Sequence, residues 1–149
     1  MRPIVLFDMD GTLTPVRQEI EQDVLDALSR LLKIADIGVV TGSGLDYLMS
    51  QCARLLLDST RFDQSAISLF PCNGTKYYKF NITEADWQPV VELDMMSYMS
   101  QGNFRSLVGI LTSLQKEVAT LPEFKEVPII GHFISYRGSM INWCPMGRD

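Results

Sequence analysis

Ile4-Val5-Leu6-Phe7-Asp8-Met9-Asp10-Gly11-Thr12-Leu13-Thr14 is the stretch on which the fold turns. Four apolar residues without polar alternation read as a β-strand buried on both faces, the pattern of a central strand in a parallel sheet. That strand runs into two carboxylates, Asp8 and Asp10, and then a Gly-Thr turn. Ligands of open α/β sheets bind at the carboxyl ends of the strands, so the acids stand where chemistry is expected. Side chains two apart on a strand or its exit share a face, and both acids can reach one ligand. Two like charges so placed call for a cation between them. A hard divalent ion such as Mg2+ takes one or two carboxylates together with water and phosphate oxygens. Free backbone N–H groups at Gly11 and Thr12 are expected to cradle phosphate. A carboxylate, a metal and a phosphate nest together permit phosphoryl transfer through an aspartyl phosphate. Taken alone, the same residues also read as an ordinary solvated acidic turn after a strand.

The flanking residues weigh against that plainer reading. Asp8 to Thr14 resembles the D-x-D-G-T-[LV] signature of the haloacid dehalogenase superfamily. The resemblance implies that Asp8 is the nucleophile, that Asp10 is the general acid/base, and that Mg2+ is the metal the two acids hold.

A chain of 149 residues buries roughly 70% of its unfolded surface, enough for a sizeable core. With 46% hydrophobic and 21% charged residues it has the composition of a soluble globular protein. No apolar run has the length of a membrane span and no basic leader precedes a cleavage site, so a cytoplasmic protein without a membrane partner is expected. Cys52, Cys72 and Cys144 are odd in number and widely spaced, which favours reduced thiols over a disulfide framework or a zinc site. The net charge of −5 argues against nucleic acid as a partner and requires local arginines to hold an anionic substrate.

Beyond the acidic turn, Ile20, Val24, Leu28, Leu31 and Leu32 are spaced for a helix between Glu19 and Ile34. Ile37 to Val40 reads as a second short strand, ending in Thr41-Gly42-Ser43-Gly44 before another amphipathic stretch. A hydroxyl at that turn can bind a transferring phosphate, or Ser43 can cap the following helix, and the two roles are compatible. Ser68 to Phe70 is a third strand, closed by Asn73-Gly74, a turn able to open a hairpin into Lys76 to Asn81. From Thr83 onward the pattern turns helical, over Trp87 to Met99 and Phe104 to Leu121, with Met95, Met96 and Met99 read as core filler. Pro122 stops the second helix, and a hairpin follows through Ile129 to Tyr136 and Met140 to Trp143. The expected class is α/β, with a parallel-sheet core in residues 1–82 and an α+β cap in residues 83–149.

The Thr41-Gly42-Ser43 turn matches the superfamily's second motif, which implies that Thr41, Gly42 and Ser43 bind the phosphoryl group, and the core is then a Rossmannoid sheet of haloacid dehalogenase type. The order of Asp8 to Thr14, Arg17-Gln18, Gly42-Ser43, Phe70-Pro71, Asn73-Gly74 and the ending from Arg137 through Asn142 and Pro145 to Arg148 resembles the eukaryotic-type phosphomannomutases. This resemblance implies interconversion of mannose 6-phosphate and mannose 1-phosphate. It also implies a hexose 1,6-bisphosphate activator, substrate contacts from Arg17, Arg137, Asn142 and Arg148, and a homodimer formed through the cap. The sequence departs from the family at Cys72, where Glu is usual, and at Gly44, where Asp often stands. His132, the single histidine, reads as structural rather than catalytic. The family's later Lys and acidic motifs have no counterpart, since Lys116 and Lys125 fall in expected cap elements. The expectation is therefore of a core and cap truncated relative to the family. A sugar-phosphate phosphatase on the same scaffold, or a catalytically incompetent fragment, is the alternative.

Overall fold

A computed structural model describes residues 2–148 of the chain. It divides into two compact units, Met1–Glu92 and Leu93–Asp149.

The first unit is built on a five-stranded sheet in the order β1 (Ile4–Asp8), β2 (Asp36–Val40), β3 (Ile67–Phe70), β4 (Lys76–Asn81), β5 (Asp86–Glu92). The first three strands are parallel and the last two antiparallel. The helix α1 (Gln22–Leu31) returns the chain between the first two strands, shorter than its apolar spacing predicts, with Leu25 and Leu28 buried. Two short helices, α2 (Leu45–Gln51) and α3 (Ala53–Leu56), follow β2. Alternate residues of the strands, Ile37 and Val39, Ile67 and Leu69, join Leu25, Leu28, Leu48, Leu55, Leu56 and Phe62 in one buried cluster. This is the helix-covered face of the sheet. On the other face Phe70 stacks on Tyr77, with ring centroids 4.8 Å apart, and a Cβ at Gly38 would meet Leu6 and Phe70.

Strand β1 has the apolar run of a central strand, but the sequence offers it partners on one side only, which leaves an apolar sheet edge. The strand stands at an edge of the sheet, paired with β2 only among the described residues, and Ile4 and Leu6 are 49% and 58% exposed. An apolar run reports what a strand is able to bury. Actual burial needs a neighbour on each edge and a layer on each face.

The residues after Thr83 also correct the sequence reading. Asp86–Glu92 is a strand, not the start of a helix, and only Met95–Tyr98 (α4) is helical within Trp87 to Met99. Pro89 has no N–H for a helical ladder and Val90-Val91 favours an extended chain. Pairing with β4 also lays Trp87 edge-on to Phe80 at 5.5 Å. Because β5 belongs to this sheet, the units part at Glu92 and Leu93 rather than at 82 and 83.

In the second unit α5 (Gln101–Thr120) is capped by the Ser100 hydroxyl, which accepts from the Asn103 N–H at 3.2 Å. The expected hairpin is present but short, pairing β6 (Ile134–Tyr136) with β7 (Ile141–Trp143). Phe104 of α5 meets Tyr136 edge-on at 5.2 Å. The Trp143 indole donates to Gln115 Oε1 at 2.9 Å. Met95, Met96 and Met99 are half-buried rather than core.

Candidate active site

Parallel pairing of β1 with β2 sets Asp8 opposite Val40, so the Asp8-to-Thr14 turn and the Thr41-Gly42-Ser43 turn leave the same edge of the sheet side by side. Asp8 is exposed and Asp10 half-buried, while Met9 between them is fully buried. Alternation therefore drives the Met9 side chain into the core and leaves both carboxylates at the surface of the edge.

The turn closes on the Met9 carbonyl, which accepts from the N–H groups of Thr12, Leu13 and Thr14 at 3.2, 3.0 and 3.0 Å. Gly11, at φ +80°, donates its own N–H to the Thr14 carbonyl at 2.8 Å. These bonds correct one part of the sequence reading. The N–H groups of Gly11 and Thr12 are engaged within the turn, because a loop that doubles back this tightly satisfies its own donors.

Asp10 Oδ1 accepts from two donors, the Gln51 side-chain amide at 3.4 Å and the Arg17 backbone N–H at 3.5 Å. Arg17 takes a left-handed conformation, φ 59°, to bring its N–H there. Cys52, wholly buried, follows Gln51. Burial pushes its thiol up to about 12, with the Asp10 carboxylate adding to the shift. The thiol beside the acid is thus neutral.

In the second turn Thr41 is buried and its Oγ1 accepts from the Ser43 N–H at 3.1 Å. The cap position of α2 is held by Gly44, so Ser43 is not the capping residue. The Pro71-to-Gly74 turn braces this loop. The Cys72 N–H donates to the Ser43 carbonyl at 2.9 Å and the Asn73 N–H to the Thr41 carbonyl at 2.8 Å. Cys72 and Asn73 are both left-handed, φ 53° and 57°, a conformation that Asn tolerates better than Cys. A Cβ at Gly42 would stand 3.1 Å from Asn73 Oδ1, so a larger residue there would require the Asn73 side chain to give by a few tenths of an ångström.

Arg137, Asn142 and Arg148 lie in the second unit. The Arg137 N–H donates to the Met140 carbonyl at 2.9 Å across the hairpin turn, and Asn142 pairs with Ser135. His132 is exposed and anchors the backbone of Arg148, donating its N–H to the Arg148 carbonyl at 2.8 Å and accepting from the Arg148 N–H at 3.1 Å.

Asp8 and Asp10 offer hard oxygen donors, which suit Mg2+, but no group of three His, Cys, Asp or Glu stands together among the described residues. Two carboxylates suit an ion that keeps waters and shares phosphate oxygens. Sequence reasoning missed Gln51 and the Asn73 brace. The Asn73-Gly74 pair reads in the sequence as a hairpin turn and as part of the family resemblance, not as a brace for the Thr41 loop, and nothing in the sequence marks Gln51.

The edge with two acids and a hydroxyl-bearing turn can be set beside known proteins. The chain is 30% identical over 149 residues to phosphomannomutase of Schizosaccharomyces pombe, matching 99% of this chain and 52% of that protein. It is 34% identical to phosphomannomutase of Babesia bovis, over 100% of this chain and 54% of the other, and 31% identical to human phosphomannomutase 1, over 99% and 50%. Phosphomannomutases are homologues of this chain. It spans about half the length of these curated relatives. No protein-family model matches it. Among solved structures, an IMP-nucleotidase of Plasmodium falciparum superposes with a TM-score of 0.67 at 17% identity, covering 94% of this chain and 38% of that one. A haloacid dehalogenase-like hydrolase from B. subtilis superposes with a TM-score of 0.53 at 16% identity, over 76% of this chain and 34% of its own. The fold is α/β and is shared with haloacid dehalogenase-like proteins. No helix among the described residues is long and apolar enough to cross a membrane.

Proposed function

We propose that the chain carries the nucleophile-bearing part of a phosphomannomutase site, one that interconverts mannose 6-phosphate and mannose 1-phosphate. The observation that carries this reading is the pair Asp8 and Asp10 at the carboxyl end of β1, beside the Thr41-to-Ser43 turn, in a chain similar throughout to phosphomannomutases. A carboxylate oxygen of Asp8 attacks the phosphorus of a hexose 1,6-bisphosphate activator. As the P–O bond to the sugar breaks, Asp10 gives its proton to the leaving oxygen. In the reverse sense Asp10 takes the proton from the acceptor hydroxyl of a bound hexose monophosphate while that oxygen attacks the aspartyl phosphate and Asp8 leaves. Thr41, Gly42 and Ser43 hold the phosphoryl oxygens, and Arg17, Arg137, Asn142 and Arg148 hold the sugar and its second phosphate. Mg2+ at Asp8 and Asp10 would supply charge neutralisation of the phosphoryl group. The turn's own hydrogen bonds at Gly11 and Thr12 leave most of the phosphate contact to the Thr41 loop.

The test is to assay isomerised sugar against free phosphate, with and without bisphosphate and Mg2+. Activator-dependent isomerisation that disappears in Asp8→Asn is the expected result. Free phosphate without isomerisation would assign a phosphatase instead, and full turnover by Asp8→Asn would remove Asp8 as nucleophile.

A further inference from the structure

Gln51 is 95% buried at the end of α2, 41 residues from Asp10 and 37 from Thr14, and its amide touches both. Its Oε1 accepts from the Thr14 hydroxyl at 2.8 Å, and its Nε2 donates to Asp10 Oδ1 at 3.4 Å. The orientation of the amide is determined from both ends. Turned over, it would set its oxygen against the Asp10 carboxylate, acceptor facing acceptor, at the cost of a buried unmet bond. Thr14 reinforces the choice. Its single hydroxyl proton has the Met9 carbonyl as a second acceptor at 3.3 Å, but that oxygen already accepts from three backbone N–H groups, so the shorter bond to Gln51 takes the proton. The Gln51 backbone is held as well, its carbonyl accepting from the Ile20 N–H at 3.1 Å. Thr14 itself is buried, so no rotation into water offers the hydroxyl another partner.

We infer that Gln51 is a positioning residue for Asp10, with its amide oriented by Thr14, and that it anchors Oδ1 so that Oδ2 is the oxygen presented to the sugar hydroxyl. Both donors to Asp10, the Gln51 amide and the Arg17 N–H, fall on Oδ1. Two donors on one oxygen restrain the rotation of the carboxylate, and the other oxygen is set in direction before substrate arrives. The inference rests on the proposed role of Asp10 as acid and base, but the arrangement of the amide can be read independently of turnover.

The Gln51 side-chain NH2 pair is followed in the full chain by 15N-edited NMR. The expected wild-type signature is one proton of the pair displaced to low field and slowed in exchange with water, the mark of an N–H bonded to a carboxylate. Thr14→Val removes the hydroxyl at nearly constant shape and is expected to lose that displacement, while Thr14→Ser regains it. If Thr14→Val does not fold, Asp10→Ala deletes the acceptor and is expected to give the same loss. A Gln51 pair at ordinary shifts, or one indifferent to these substitutions, overturns the inference. In the activity assay Gln51→Met, similar in volume but without donor or acceptor, is expected to lower kcat by about 10–100-fold with KM unchanged. Full kcat in that variant would also overturn it. A wild-type chain that turns over no sugar phosphate would defeat the proposed function, and the amide signature would still decide the positioning of Asp10.

Discussion

Cys52 follows Gln51 and its thiol feels the Asp10 carboxylate, and burial keeps it silent. With its thiol pushed up to about 12, almost none is thiolate at neutral pH, and the thiolate is the reactive form. Cys72 is equally buried, whereas Cys144 is half-buried and its Sγ donates to the Gly147 carbonyl at 3.3 Å. Alkylation of the native chain at mildly alkaline pH is expected to label Cys144 first, with Cys52 and Cys72 labelled only in denaturant. Peptide mass spectrometry reads the order, and early labelling of Cys52 would contradict the packing around Asp10. The residues legible in the sequence here were the acids and the two turns, because their chemistry is local. Gln51 was not legible, because an amide acquires a role only from what it faces.

At the scale of elements, the β4–β5 hairpin explains why Asp86–Glu92 is extended. Trp87 is 8% exposed against Phe80, and its Nε1 has no hydrogen-bond partner among the described residues. Trp87→Ala is expected to cost about 3–5 kcal/mol as a large aromatic lost from a core. Trp87→Phe should cost clearly less, since it keeps a ring there and discards the orphaned donor. Chemical denaturation of both variants tests the ordering, and equal losses would place Trp87 outside the core. The same hairpin carries a pH-dependent tie. The Tyr78 hydroxyl donates to Glu92, and Lys76 Nζ lies 3.4 Å from the same carboxylate. Tyr78 first, then Lys76, hold the Glu92 carboxyl below its ordinary value of 4.5, against the opposing effect of burial. A depressed carboxyl binds fewer protons folded than unfolded, so its contribution is present above about 4.5 and fades as pH falls through the folded value. Tyr78 is raised, by burial first and then by Glu92, so its hydroxyl remains a donor through the neutral range. The Tm gap between wild type and Glu92→Gln should therefore shrink on acidification below that value. A gap constant from neutral pH into acid would sink the assignment.

At the scale of the molecule, the two units are unequal. Among the described residues every buried hydrophobic side chain falls within Met1–Glu92, and α5 buries none. Hydrophobic burial is the dominant favourable contribution to folding. Residues 1–92 alone are accordingly expected to unfold cooperatively, with a Tm close to that of the full chain. Residues 93–149 alone are expected to show no cooperative transition. Calorimetry of the two pieces decides this, and the reverse pattern would mean that the second unit contributes the stability the burial does not show.

The sequence by itself determined the parallel strands with their acidic and hydroxyl-bearing exits, the helix after β1, and a long helix, read over Phe104 to Leu121 and observed over Gln101–Thr120. Each rests on residues adjacent in the chain, where unbroken apolar runs, helical spacing and turn chemistry act without reference to the rest. Only the tertiary structure decided that Asp86–Glu92 joins the sheet, and that the Gly11 and Thr12 donors are spent inside their own turn. It alone decided that Gln51, 41 residues away, holds Asp10. Burial, strand pairing and the facing of one polar side chain by another depend on which distant segments meet, and no local pattern carries that information.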